Sequence, residues 1–237
     1  MSNSSTKIKN ICKEDGIEAR AILYKLISVG FRYPSESLIN ALTTEQYWID
    51  LLEIANLLEP EDSQLKALVA GNMEELRLEA QREQLTGFEV EYNQLFQVAK
   101  QIECPLTASE YMKGEGRQAL AVAQLSGLYT SFGVKMREFE RHDNLSVLLE
   151  FMSWICAKEL NALTKGEYDN VASCLAAEKI LLDDYLGWLP LLMFAVESNA
   201  NIRFYLWLTE ILIEFLRMER ASLLDDATQN SCVNDGE

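Results

Sequence analysis

The sequence predicts an all-α protein, a single bundle of about ten helices. Three observations carry this expectation. Apolar residues make up 49% of the 237 positions, enough for one sizeable core. Glycine and proline are scarce, at 11 and 4 residues, so chain-breaking signals are few. Apolar residues recur three and four apart along most of the chain, and strand-like alternation is confined to one or two short stretches.

Residues 1–15 are rich in Ser, Asn and Lys with few apolar anchors, and are expected to be disordered. The helical domain is expected over 16–223. Its first helix, 18–31, carries Ile22, Leu23, Leu26, Ile27 and Phe31 at helical spacing. Pro34 stops it, and Ser35 or Ser37 can cap a second helix bearing Leu38, Ile39 and Leu42. A third starts at Thr44, carries Tyr47, Trp48, Leu51, Leu52, Ile54 and Ala55, and ends at Pro60. A short fourth, 62–69, is closed by Gly71. Residues 74–96 read as one long helix or two joined near Thr86-Gly87.

A hinge loop follows over 97–116, with Pro105 and two glycines. Its length marks it as a functional or mobile segment. The next helix, 117–132, is closed by Gly133, and a second loop covers 134–141. Residues 145–163 are apolar nearly all round, with Ser146, Glu150 and Ser153 in one narrow stripe, as expected of a central helix. Helices are expected over 168–185, over 191–196 with Pro190 in the first turn, and over 202–216. The acidic tail, 224–237, is expected to fray.

The formal net charge of −16 argues against nucleic acid and anionic membranes as partners, and favours a basic one. The five cysteines are scattered without a CxxC pair, which suits a reducing cytosol. With one histidine and no EF-hand spacing, neither a metal nor another cofactor is expected. The polar N-terminus lacks the apolar core of a signal peptide. Of the longest apolar runs, 187–196 is too short to cross a bilayer, and 206–216 contains Glu210 and Glu214. A cytoplasmic protein is expected.

No constellation supports an enzyme. His142 and Asp143 are adjacent in a loop, where neighbours seldom point at each other, and no Ser or Cys occupies a nucleophile elbow. Asp143 or Asn144 is better placed to cap the helix beginning at Leu145. The segment Lys113-Gly-Glu-Gly-Arg117 lacks both phosphate-loop patterns and reads as a hinge. Phe204, Tyr205 and Trp207 are expected in the core. An acidic helical protein with a long loop suits peptide holding, an amphipathic segment laid in a groove.

Four segments then line up in order with a known family. ARAILYKLISVGFRYPSESLINAL (residues 19–42) resembles its first helix and aromatic-Pro stop. EYNQLF (91–96) followed by CPLTASEYM (104–112) resembles its E-x-x-x-L-F helix end and its Pro-x-x-x-S-x-Tyr loop. HDNLSVLLEFM (142–152) resembles its Pro-Asp-His loop and E-L-x-F-M helix. WLPLLMFAVESNANIRFYLWL (188–208) resembles its Trp-x-Pro turn and Phe-Tyr helix. The chain thus resembles the TorD/DmsD/NarJ-type chaperones that mature molybdenum-containing oxidoreductases.

The resemblance implies a TorD-like all-α fold. It also implies binding, in the cytoplasm, of the N-terminal leader of an apo molybdoenzyme catalytic subunit, often a twin-arginine signal, while molybdenum cofactor is inserted before export or assembly. The family's loop Asp falls on Asp143, its His on Asn144, its Pro on His142 and its motif Glu on Leu148, with Glu150 at the neighbouring position. On this reading Leu95, Phe96, Tyr111 and Met152 cover the leader's apolar part. Asp143, Glu91 and Glu110 face its arginines, and His142, Asn144, Ser109 and Glu150 complete the peptide-binding set; Ser109 and Tyr111 can equally serve only to order the loop. Leu95, Phe96 and Met152 can equally be core. Two other classes stay open: a permanent acidic scaffold or accessory subunit, and a nucleotide-binding protein using the Gly114–Gly116 loop. The long hinge is compatible with a monomer or a domain-swapped dimer.

Overall fold

A computed structural model describes residues 14–58, 64–97, 102–114, 116–136 and 141–234, with side chains as far as Ser222. Of the disorder expected over residues 1–15, residues 1–13 lie outside the described residues, as does the stop at Pro60, whereas Glu14 and Asp15 already form the first turn of a helix, where their carboxylates suit its positive end. Among those described there are ten α-helices, as the sequence predicts. They are α1 (Glu14–Gly30), α2 (Glu36–Thr43), α3 (Gln46–Leu58), α4 (Gln64–Tyr92), α5 (Ala108–Tyr111), α6 (Arg117–Ser131), α7 (Leu145–Lys165), α8 (Tyr168–Ile180), α9 (Leu189–Asn199) and α10 (Arg203–Asn234). The one β-type pairing among the described residues is an antiparallel bridge between Thr107 and Asn144.

Helix α1 buries Ile17, Leu23, Tyr24 and Ile27, and runs along the central helix α7, which buries Leu145, Leu148, Leu149, Met152, Ile155 and Cys156. Helix α8 flanks α7, and α3 flanks α1. Helices α4 and α10 pack together, with α2 and α3 against α4 and α9 against α10. A β-carbon on Gly30 would lie 2.6 Å from Leu208 Cδ2, so the missing side chain lets the end of α1 approach α10. Phe204, Tyr205 and Trp207 are in the core as expected. Trp207 meets Trp48 edge-on at 4.8 Å, and Tyr205 meets Phe96 at 5.3 Å.

Local chemistry sets several boundaries. Of the two candidate serines, Ser35 caps α2 by accepting from the Leu38 N–H at 3.3 Å. Helix α3 begins at Gln46, two residues later than expected, because Glu45 takes a left-handed conformation (φ 68°). Helix α4 passes straight through Gly71. A single exposed glycine weakens a helix without stopping it when good helix formers flank it. The break comes at Gln84 (φ 52°), close to the expected joint at Thr86-Gly87. Two wider π turns, Asn93–Gln97 and Leu181–Tyr185, continue α4 and α8, and turn Leu95, Phe96, Leu181 and Leu182 into the core. Helix α7 stops at Gly166 (φ 72°), whose N–H reaches the Ala162 and Leu163 carbonyls. Helix α10 runs past residue 216, where it was expected to close, because Met218, Glu219 and Ser222 still find buried positions.

Candidate functional site

The hinge loop and the loop before α7 form one knot. The Leu145 N–H donates to the Leu106 carbonyl at 2.7 Å, and the Ala108 N–H to the Asp143 carbonyl at 3.0 Å. Asn144 is the N-cap of α7, its Oδ1 accepting from the Ser146 N–H at 3.0 Å and the Ser146 hydroxyl at 2.8 Å.

Asp143 is only 2% exposed. It accepts from the Ser109 N–H at 2.9 Å and from the Arg141 guanidinium at 3.3 and 3.4 Å. Arg141 also donates to Ser109 Oγ at 2.8 Å and lies 3.7 Å from Glu110. Burial pushes the Asp143 carboxyl up. The Ser109 hydroxyl and N–H, together with Arg141, outweigh it and hold the carboxyl below its ordinary value. Asp143 therefore turns inward, towards the 104–112 segment. His142 faces elsewhere: its ring meets Tyr129 edge-on at 5.9 Å, and its carbonyl accepts from the Tyr129 hydroxyl at 2.8 Å. Its Nδ1 is buried with no partner among the described residues. Tyr111 stacks on Trp188 at 4.5 Å and donates to the Pro105 carbonyl at 3.0 Å, and burial raises its hydroxyl.

Beside this knot lies a cleft of about 770 Å³. One wall is a face of α7, with Val147, Glu150, Phe151 and Trp154 at helical spacing; Asn144 and Ser146 lie at its N-terminal end. Arg32 and Tyr33, just beyond α1, line the cleft with Tyr92, and residues 133–136 beyond α6 form part of its lining with Arg141 and Tyr129. Tyr33 and Trp154 are 46% and 47% exposed, so two large aromatic surfaces stay accessible. Glu150 accepts from Lys25 and Arg32, which ties the cleft wall to α1.

The expected site residues thus divide. Asp143 and Ser109 are brought together, with Tyr111 close by in the short helix that carries Ser109; Asn144 and Glu150 line the cleft, and the His142 ring turns away onto Tyr129. Leu95, Phe96 and Met152 are core residues, at 1%, 6% and 0% exposure. Glu91 is a correction as well. It is buried, and its carboxylate accepts from the Asn201 and Ile202 N–H groups at the start of α10. It therefore satisfies backbone donors at the start of a helix from inside the core. Sequence reasoning missed Tyr33, Val147, Phe151 and Trp154. The i, i+4, i+7 spacing of the last three was the available signal, hidden in a run that reads as apolar all round. Gly114 and Gly116 both take positive φ (117° and 76°), with Gly116 preceding α6, a turn as the hinge reading expects.

None of the described helices is long and apolar enough to cross a membrane. Compared with known families, the chain matches the model described as nitrate reductase delta subunit over residues 61–193, more than half its length. That span includes α4 to α8, both loops and the α7 wall of the cleft. A search of curated proteins returned no match. The chain belongs to the nitrate reductase delta-subunit family, molybdoenzyme maturation chaperones of the TorD/NarJ type.

Proposed function

We propose that the protein binds the N-terminal leader of the apo catalytic subunit of a nitrate-reductase-type molybdoenzyme in the cytoplasm. It holds that subunit while molybdenum cofactor is inserted, before export or membrane assembly, and acts by binding without catalysis. The observation that carries this reading is the cleft along α7. Val147 and the exposed Trp154 line it along two turns of α7 above the largely buried Phe151, and the exposed Tyr33 lines the same cleft. An amphipathic helix fits such a groove with its own i, i+3, i+4 anchors. The net charge of −16 steers a basic leader towards the protein.

In this arrangement Asp143 is a positioning residue. It fixes the loop that places Arg141 and Asn144 at the end of the cleft. Glu110, at the exposed rim beside Arg141, is available to a leader cation. The test is titration of synthetic leader segments from molybdoenzyme catalytic subunits, followed by Trp fluorescence and calorimetry. Trp154→Ala and Tyr33→Ala should each weaken binding by about tenfold or more with little change in unfolding midpoint. Unchanged affinity in both variants would move the site elsewhere. No binding by the natural protein to any such leader would overturn the function.

A further inference from the structure

Helices α1, α7, α8 and α10 meet at a buried cluster that plays no part in the cleft. Arg20 of α1 is its centre. Its Nε donates to Glu219 of α10 at 2.8 and 3.0 Å, its Nη1 to Glu159 of α7 at 3.1 Å, and its Nη2 to Glu178 of α8. The Tyr24 hydroxyl donates to Glu219 at 3.0 Å, and the Cys156 thiol to Glu178 at 3.5 Å. Arg20 and all three carboxylates are buried.

We propose that the three carboxylates around Arg20 keep at least one proton between them at neutral pH, making the cluster a proton-operated clasp on four helices. The charge count leads there. Three carboxylates against one guanidinium leave two uncompensated negative charges if all ionise, in a place water does not reach. Carboxylate oxygens of Glu159 and Glu178 lie within 4.8 Å of each other, so the two charges repel unless a proton neutralises one of them. One guanidinium, that of Arg20, is ion-paired to all three. From α1 the facing groups are Arg20 and Tyr24, from α7 Cys156 and Glu159, from α8 Glu178 with Cys174 beside it, and from α10 Glu219. Lys158 acts on Cys174 at the flank. Burial raises the Tyr24 hydroxyl and the Cys156 thiol, so both remain neutral donors. Burial likewise pushes the Glu178 carboxyl up to about 7, and raises Glu159 and Glu219.

The direction of the pH effect follows from linkage. A raised carboxyl binds more protons folded than unfolded between its ordinary value and its folded one. Stability from the clasp is therefore full below about 4.5, falls as pH rises through about 7, and is level above that. On ionisation the proton leaves to water, and the carboxylate left behind repels its neighbours across the junction.

The test compares urea unfolding of the natural protein and Glu178→Gln between about pH 5.5 and 8.5. It is joined by carbon-13 NMR titration of glutamate carboxyls in the natural protein. Across that range the unfolding constant of the natural protein should rise at least about tenfold more than that of the variant. At least one carboxyl carbon should titrate above pH 6. Parallel pH curves would overturn the proposal. If the variant does not fold, the absence of any carboxyl titrating above pH 6 overturns it alone. So would a stoichiometric, chelator-removable zinc ion on Cys156, Glu159 and Glu178, whose ligand atoms lie within 4.8 Å of one another, because a metal would then hold the excess charge.

Discussion

Replacing Asp143 with alanine separates a positioning role from a contact with the leader. The carboxylate is buried and is the acceptor for the Ser109 N–H at 2.9 Å. Its loss leaves that buried donor without a partner, at a cost of ~1–3 kcal/mol. The Arg141 pair adds less than ~1 kcal/mol, because the guanidinium is 53% exposed and screened by solvent. Asp143→Ala should therefore lower stability by about 1–4 kcal/mol. Asp143→Asn, which keeps an oxygen for Ser109, should cost about 1 kcal/mol. Urea unfolding measures both, and hydrogen exchange at the Ser109 amide reports the local loosening. The carboxyl is held below its ordinary value, so its contribution is present at neutral pH and lost as pH falls through the folded value. Both substitutions should therefore flatten the natural protein's loss of stability on acidification below about pH 4. If Asp143→Ala left stability and Ser109 protection intact while abolishing leader binding, Asp143 would be touching the leader itself, and the positioning argument would fail.

Three further outcomes are expected. Glu91→Ala removes the acceptor of the Asn201 and Ile202 N–H groups just before α10, leaving Glu79 on those of Arg203 and Phe204, and should cost about 1–3 kcal/mol in urea unfolding, whereas Glu150→Ala, in an exposed ion cluster, should cost under about 1. Gly30→Ala drives a β-carbon against Leu208 inside the packed junction of α1 and α10 and should cost about 1–3 kcal/mol, read as a lower thermal midpoint. Gly166→Ala forces a left-handed alanine at the end of α7 and should cost about 1 kcal/mol, with fraying visible as faster amide exchange at residues 163–167.

The helices were legible because burial in a bundle repeats every 3.6 residues, and α1, α3 and α7 obey that period closely. Asn144 and Ser35 were legible as caps because their chemistry is local. The exact position of the break in α4 was not, since a left-handed Gln84 carries no composition signal and the nearby Gly87 drew the expected joint two residues on. Nor were the two π turns, which arise from packing. The cleft escaped detection for another reason. It is assembled from residues 32–33, 133–136 and 141–154, each of which reads alone as a loop or as one side of a core helix. The buried meeting of Arg20 with Glu159, Glu178 and Glu219 was not legible either, because sequence shows charge but not which charges meet inside.

The bridge between Thr107 and Asn144 has a topological consequence. The chain departs from the bundle at residue 108 and rejoins it at residue 143, and these two points are hydrogen-bonded to each other. The excursion that carries α6 is closed at its base by this clip; beyond it, α6 is held to the bundle by buried Leu125 and Tyr129 and by the Tyr185 hydroxyl on the Ala121 carbonyl. The excursion's length can change without shifting the start of α7, since lengthening a closed loop costs little entropy. Relatives can thus remodel one rim of the cleft by insertion or deletion while the helical wall opposite keeps its register.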